Sequence, residues 1–197
     1  MRKSLLILIT LFVSLNLLSQ KTLKDSISIK TDIFQIVYSE VLQQPKWIKY
    51  TVQCPNGSAS RAGMDFYICD SITTSDNKDY EANQYDKGHL APAAHFNCTK
   101  EMIYQTFTFL NCALQQENLN RTTWRLLEAR ERELAKTQTV TVEIRCQFSK
   151  KSKVLPSGAT VPDGFYKTIK YGNVVEKYYF KNEKPISTDY NKFKIKS

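Results

Sequence analysis

The chain has no Cys-x-x-Cys pair and only two histidines, His89 and His95. A structural zinc centre needs Cys and His ligands in closely spaced pairs, so that class of fold is disfavoured. There is no internal repeat, no low-complexity tract and no cluster among the six glycines and six prolines that would mark a linker. Solenoid and multidomain readings lose their support. At 197 residues, 42% hydrophobic and 24% charged, the chain suits one domain with a real core. Past the first twenty residues no apolar run reaches the ~20 residues of a membrane span, so no span is expected in the mature chain.

What the N-terminus does have is Arg2 and Lys3 followed by an apolar run from Leu5 to Leu18. This has the layout of an export signal, expected over residues 1–20. A leader over 21–33 and the main folded domain over 34–197 are expected to follow, with a secreted or periplasmic destination. The formal charge is +9, or +7 once Arg2 and Lys3 are removed, and that excess favours a polyanionic partner. Five cysteines, Cys54, Cys69, Cys98, Cys112 and Cys146, allow at most two disulfides in an oxidising compartment. Their pairing cannot be read from spacing.

Alternation of apolar residues predicts strands around Ile36–Tyr38 and Trp47–Val52, separated by Gln44-Pro45. Further β-prone pieces are Met64–Cys69, Thr106–Leu110, Thr139–Cys146, Phe165–Tyr171 and Val174–Phe180. The last two are joined by Gly172-Asn173. The polar stretch Ser71–Asn83 reads as a surface loop, and Lys21–Thr31 as a loose leader. A helix is predicted over 120–136, with Trp124, Leu127 and Leu134 near one face. The resulting class is α+β with a mostly antiparallel sheet.

The chemistry concentrates in Asp86-Lys87-Gly88-His89. An unperturbed imidazole titrates near pH ~6.5, so His89 is suited to take a proton from water. Gly88 beside it would let the backbone approach a ligand closely. On the predicted helix, Asn120, Trp124, Glu128 and Arg132 recur every fourth residue and would share one face. A carboxamide and a carboxylate are hard oxygen donors suited to Mg²⁺, and arginine clamps phosphate. The plainer alternative makes Glu128 and Arg132 a surface pair and Trp124 a core residue. A zinc hydrolase built on His89, His95 and Cys98 is a weaker alternative, because the histidines lack the i,i+4 spacing of a helical pair.

These residues resemble the DNA/RNA non-specific endonuclease family, whose signature is Asp-Arg-Gly-His. Asp86-Lys87-Gly88-His89-Leu90-Ala91-Pro92 is similar to that signature, with Lys87 for arginine. Phe109-Leu110-Asn111-Cys112-Ala113-Leu114-Gln115 resembles a family strand and turn, with Leu114 for proline. Asn120, Arg121, Trp124 and Glu128 follow at the family's spacing, as do Arg61 upstream and Phe165-Tyr166-Lys167 downstream. The resemblance implies a ββα-metal nuclease fold with the active-site helix beside a central antiparallel sheet. It implies a substrate of DNA, RNA or both, and a cofactor of Mg²⁺ with Mn²⁺ as substitute. The implied roles are His89 as general base, Asn120 as direct metal ligand, Glu128 as outer ligand, and Arg61, Lys87 and Arg132 as phosphate binders. Asp86 and Asn111 would support the site, and a homodimer is compatible with the pattern. The rival reading is a basic module that holds nucleic acid or another anionic polymer without cutting it.

Overall fold

Period-two alternation of apolar and polar residues builds the scaffold. The computed structural model describes residues 22–196, so the expected export signal over 1–20 lies outside the described residues. Strands β1 (Ile27–Lys30), β2 (Phe34–Ser39) and β3 (Gln44–Thr51) form an antiparallel meander. After an excursion the chain returns as β6 (Val140–Gln147), β7 (Gly164–Tyr171) and β8 (Val174–Lys181). β3 pairs with β6, which closes one six-stranded antiparallel sheet in the order β1-β2-β3-β6-β7-β8.

Between β3 and β6 the chain builds a second layer. It comprises a two-stranded ribbon, β4 (Tyr85–His89) and β5 (Cys112–Gln116), and a short helix α1 (Lys100–Thr106) capped by the Thr99 side chain. β5 then runs into a long helical element: α2 (Glu117–Leu119), a π-helical turn Asn120–Trp124, and α3 (Arg125–Ala135). Trp124 and Leu127 press this helix onto the sheet, with the indole 5.5 Å from Phe165 and 5.6 Å from Phe180. Ile36, Ile48, Ile144 and Ile169 complete the same core. Each such side chain contributes roughly 1.5–3 kcal/mol by leaving water, which fixes the helix to the sheet.

The α+β class and the antiparallel sheet agree with expectation, and several local readings need correction. The segment read as a loose leader supplies β1, whose Ile27 and Ile29 pair beside Tyr38 and Ile36. Gln44 and Pro45 lie inside β3; the break falls earlier, at Glu40–Gln43, where Gln43 takes φ 51°. Pro45 is tolerated because pairing with β6 begins only at Trp47, so its missing N–H is not needed there. Thr106–Leu110 is not a strand: α1 ends in it, and every one of its residues is buried, so alternation carried no face information. Met64–Cys69 is loop apart from one bridge between Tyr67 and Thr108. The predicted turn at Gly172-Asn173 stands, with Gly172 at φ 51°.

Candidate active site

The β4–β5 ribbon delivers the histidine. His89 pairs with Cys112 at the end of β4, and Gly88 pairs with Ala113. A Cβ on Gly88 would lie 2.5 Å from Cβ of Gln115, so glycine is required by the opposite strand of the ribbon rather than by a ligand. Beyond His89, the chain is held by buried Asn111. Its side chain accepts from the Ala91 N–H at 2.8 Å and donates to the carbonyls of Ala91 and Thr106, at 2.8 and 2.9 Å. Asn111 therefore fixes where the ribbon ends, and with it the imidazole.

The His89 ring sits between Phe66 and Phe107, with centroids 4.6 and 4.8 Å away. Burial, reinforced by the Arg61 charge, lowers its pKa to about 3. Both causes disfavour the imidazolium, so the ring is neutral at ordinary pH. Its Nε2 is buried and has no hydrogen-bond partner among the described residues.

The long helix supplies the oxygen donors, and the π turn decides which of them face outward. A straight α-helix would set Asn120, Trp124, Glu128 and Arg132 in one stripe. The π turn shifts the register, and such turns recur at functional sites. Trp124 is fully buried, while Asn120, Glu128 and Arg132 line a common cleft. Asp86, projecting from β4, accepts from Nδ2 of Asn120 at 2.9 Å and from Nε and Nη2 of Arg121 at 2.9 and 2.6 Å. Because only the amide nitrogen can donate to a carboxylate, Oδ1 of Asn120 is the end left for another ligand.

The cleft encloses about 840 Å³ and is lined by Arg61, Lys87, His89, Asn120, Glu128 and Arg132 together. These come from a loop, the ribbon and the helix. Lys87 reaches it while ion-paired to Asp65 at 2.8 Å, which lowers the Asp65 pKa. Arg132 donates to the Glu128 carbonyl at 3.3 Å. Burial raises the Glu128 pKa to about 7, against the opposing pull of the Lys167 ammonium. Two further arginines on the cleft, Arg121 and Arg125, were not assigned substrate roles from the sequence. Their i,i+4 spacing is the signal, but on a helix rich in charge it looks like any solvated face. Phe66 and Phe107, the walls around His89, stood in segments read as β-prone, with no place at the site.

Behind Glu128 lies a buried charged cluster. Lys167 pairs with Glu131 at 2.7 Å, both fully buried, and its ammonium lies 4.1 Å from the centre of the Trp124 ring. Tyr50 donates to Glu131 at 3.3 Å, and Nε2 of His95 lies 3.2 Å from the Glu128 carbonyl oxygen. His95 is thus a core residue, and Cys98 is bonded to Cys54 in a disulfide. The zinc alternative loses two of its three ligands.

The residues present suit a hard divalent cation. They offer one free carboxamide oxygen and one carboxylate on an open cleft, the sparse oxygen set that Mg²⁺ accepts while keeping several waters. Among the described residues no group of three or more His, Cys, Asp or Glu could hold a metal, so softer metals have no cage.

A sequence profile described as DNA/RNA non-specific endonuclease matches residues 17–196. Mitochondrial endonuclease G of Bos taurus is 34% identical over 84 residues, which cover 41% of this chain and 28% of that protein. The Homo sapiens counterpart is 33% identical over the same length and coverage. The matched segment thus spans little more than a quarter of these curated relatives. A chain from the crystal structure of the EndoG/EndoGI complex, which concerns the mechanism of EndoG inhibition, superposes with a TM-score of 0.77. It has 26% identity, and the match covers 86% of this chain and 80% of that one.

Proposed function

The chain belongs to the DNA/RNA non-specific endonuclease family, and on that premise we propose that it is an exported, metal-dependent endonuclease that hydrolyses phosphodiester bonds of DNA or RNA with little regard to sequence. The observation that carries this reading is the convergence of His89 from the ribbon with Asn120 and Glu128 from the helix on one cleft. Five basic side chains, Arg61, Lys87, Arg121, Arg125 and Arg132, surround them.

His89 is the general base. Its neutral imidazole takes a proton from water as the oxygen attacks phosphorus in line; the new P–O bond forms, the bond to the 3′ oxygen breaks, and the 3′ alkoxide takes a proton from solvent water, leaving a 5′-phosphate and a 3′-hydroxyl. An isolated imidazole with a pKa of about 3 holds a proton weakly. A phosphodiester anion seated beside it favours the imidazolium, so substrate itself raises the basicity. Asn120, its amide nitrogen fixed by Asp86, would offer Oδ1 to Mg²⁺ or Mn²⁺ as direct ligand, and Glu128 would serve as outer ligand. When bound, such a cation supplies Lewis-acid neutralisation of phosphoryl charge. Arg61, Lys87 and Arg132 hold phosphate oxygens, contacts that position a strand without reading bases. Weak sequence preference follows.

Export is supported by the N-terminal signal layout and by the Cys54–Cys98 disulfide, which suits an oxidising compartment. Purified protein incubated with supercoiled plasmid and with RNA, in Mg²⁺ and then in chelator, tests the function. Cleavage confined to the Mg²⁺ arm is expected. Tight binding with no cleavage in either arm would instead establish the non-hydrolytic basic module.

A further inference from the structure

The sheet has two faces, and the cleft uses only one. The face under α3 is buried, whereas across the middle of the other face every outward side chain is half-buried or exposed. Strand register places Trp47, Arg145, Tyr166 and Tyr179 in a single row across β3, β6, β7 and β8. Tyr166 is 41% exposed, and its ring centre lies 4.6 Å from that of Tyr179. The Tyr179 hydroxyl donates to Gln147 at 2.7 Å and lies over Gly164, where a Cβ would come within 2.7 Å of it. The Arg145 side chain is 66% exposed.

The row on one side carries Lys30, Lys49 and Lys177 together with Glu143, which pairs with Arg145 at 3.2 Å; the row on the other side carries Lys181, and Lys170 lies one row beyond the first. A row of aromatic rings on strands ~4.8 Å apart, flanked by cations, is the arrangement on which unpaired bases stack while lysines and arginine track the backbone. We propose that this outer sheet face is a second nucleic-acid site, separate from the cleft, which holds a single strand by stacking bases on Trp47, Tyr166 and Tyr179.

A second copy of the chain fits the face poorly, because pairing it with itself would set like charges against each other. A duplex also fits poorly, since its bases are already stacked. The site would retain a long or partly unpaired substrate while the cleft on the opposite side of the sheet cuts. It rests on the nucleic-acid reading of the cleft only for this consequence, not for binding.

The test is run on the full chain in chelator, where no cleavage is expected. A labelled dT16 oligonucleotide should bind and quench emission from Trp47, and Trp47→Phe should remove that quenching. The Tyr166→Ala/Tyr179→Ala pair should weaken dT16 binding about tenfold or more while leaving affinity for a 16-base-pair duplex and Mg²⁺-dependent nicking of that duplex unchanged. Arg145→Glu/Lys170→Glu, which keeps both tyrosines, should weaken dT16 binding comparably and flatten its salt dependence. Tyr166, Arg145 and Lys170 are exposed and Tyr179 is half-buried on the same outer face, none of them in the core, so circular dichroism should match the unaltered protein for both variants.

Unchanged dT16 affinity in either folded variant overturns the proposal. So does a face whose substitution abolishes binding to phosphatidylglycerol vesicles but not to dT16, or converts a dimer to a monomer by light scattering. If plasmid cleavage fails while dT16 binding through the tyrosines persists, the nuclease reading falls and this one stands.

Discussion

The two histidines lie six residues apart and share a protonation state, yet their surroundings differ in kind. His95 is sealed in the core, with Nε2 3.2 Å from the Glu128 carbonyl and 3.7 Å from Glu131, and its pKa is pushed well below the usual value by burial and then by the Lys167 charge. His89 is also kept neutral by burial and by Arg61, but its ring lines the cleft with the oxygen donors. A depressed imidazole pKa is therefore no mark of catalysis here. What separates the two is access: one ring lines a cleft with Arg61, Lys87 and Arg132, and the other braces the helix from behind.

The largest effect that could break this contrast is on rate. His89→Ala should lower plasmid nicking by about 10²–10⁴-fold while circular dichroism stays that of the folded protein. Retained nicking at the unaltered rate would remove His89 from the mechanism. On the other side of the helix the effect should be on stability. Lys167→Met leaves Glu131 buried without its cation and should cost ~3–5 kcal/mol in urea unfolding, and adding Glu131→Leu should recover most of it. No recovery in the double variant would mean that the pair does not act as a unit.

A smaller effect is expected where ribbon and helix meet. Asp86 fixes the Asn120 amide, so Asp86→Ala should raise the Mg²⁺ concentration for half-maximal nicking by ~10–100-fold, the usual range for a residue that orients a ligand. An unchanged Mg²⁺ titration would detach Asn120 from the metal. Smallest is the pH dependence of folding in chelator. Depression of the His89 pKa means that its stabilisation is present above pH ~6.5 and is lost as pH falls toward about 3. Elevation of Glu128 to about 7 has the opposite sign: its contribution is present below ~4.5 and is lost as pH rises through 7. His89→Gln should flatten the acid side of the stability curve, and Glu128→Gln the neutral side.

Much of the scaffold was legible because β6, β7 and β8 each have one face in the core and one in water, so polarity alternates with the backbone. The same rule misread Thr106–Leu110, which is buried throughout. It gave no sign of the β4–β5 ribbon either, because its strands are short and β5 is buried along its whole length. At the site, the residues of the Asp-Lys-Gly-His segment and Asn120, Glu128 and Arg132 could be named in advance. Arg121 stood out only for its spacing and Arg125 not at all, since whether they line the cleft depends on which way the π turn aims them. Nor could the part played by Lys167 be named, whose charge would place it on the surface in any reading by polarity.

Residue type and spacing alone determined the family likeness, the sheet-forming character of the chain and the chemical kinds available for catalysis, because these depend on local preference and on side-chain pKa and donor type. Tertiary structure decided which histidine faces the cleft, which end of Asn120 is free, and that Lys167 lies beneath the long helix. Those outcomes turn on contacts between segments far apart in the chain, where burial and neighbouring charge, rather than residue identity, set the orientation and ionisation of each group.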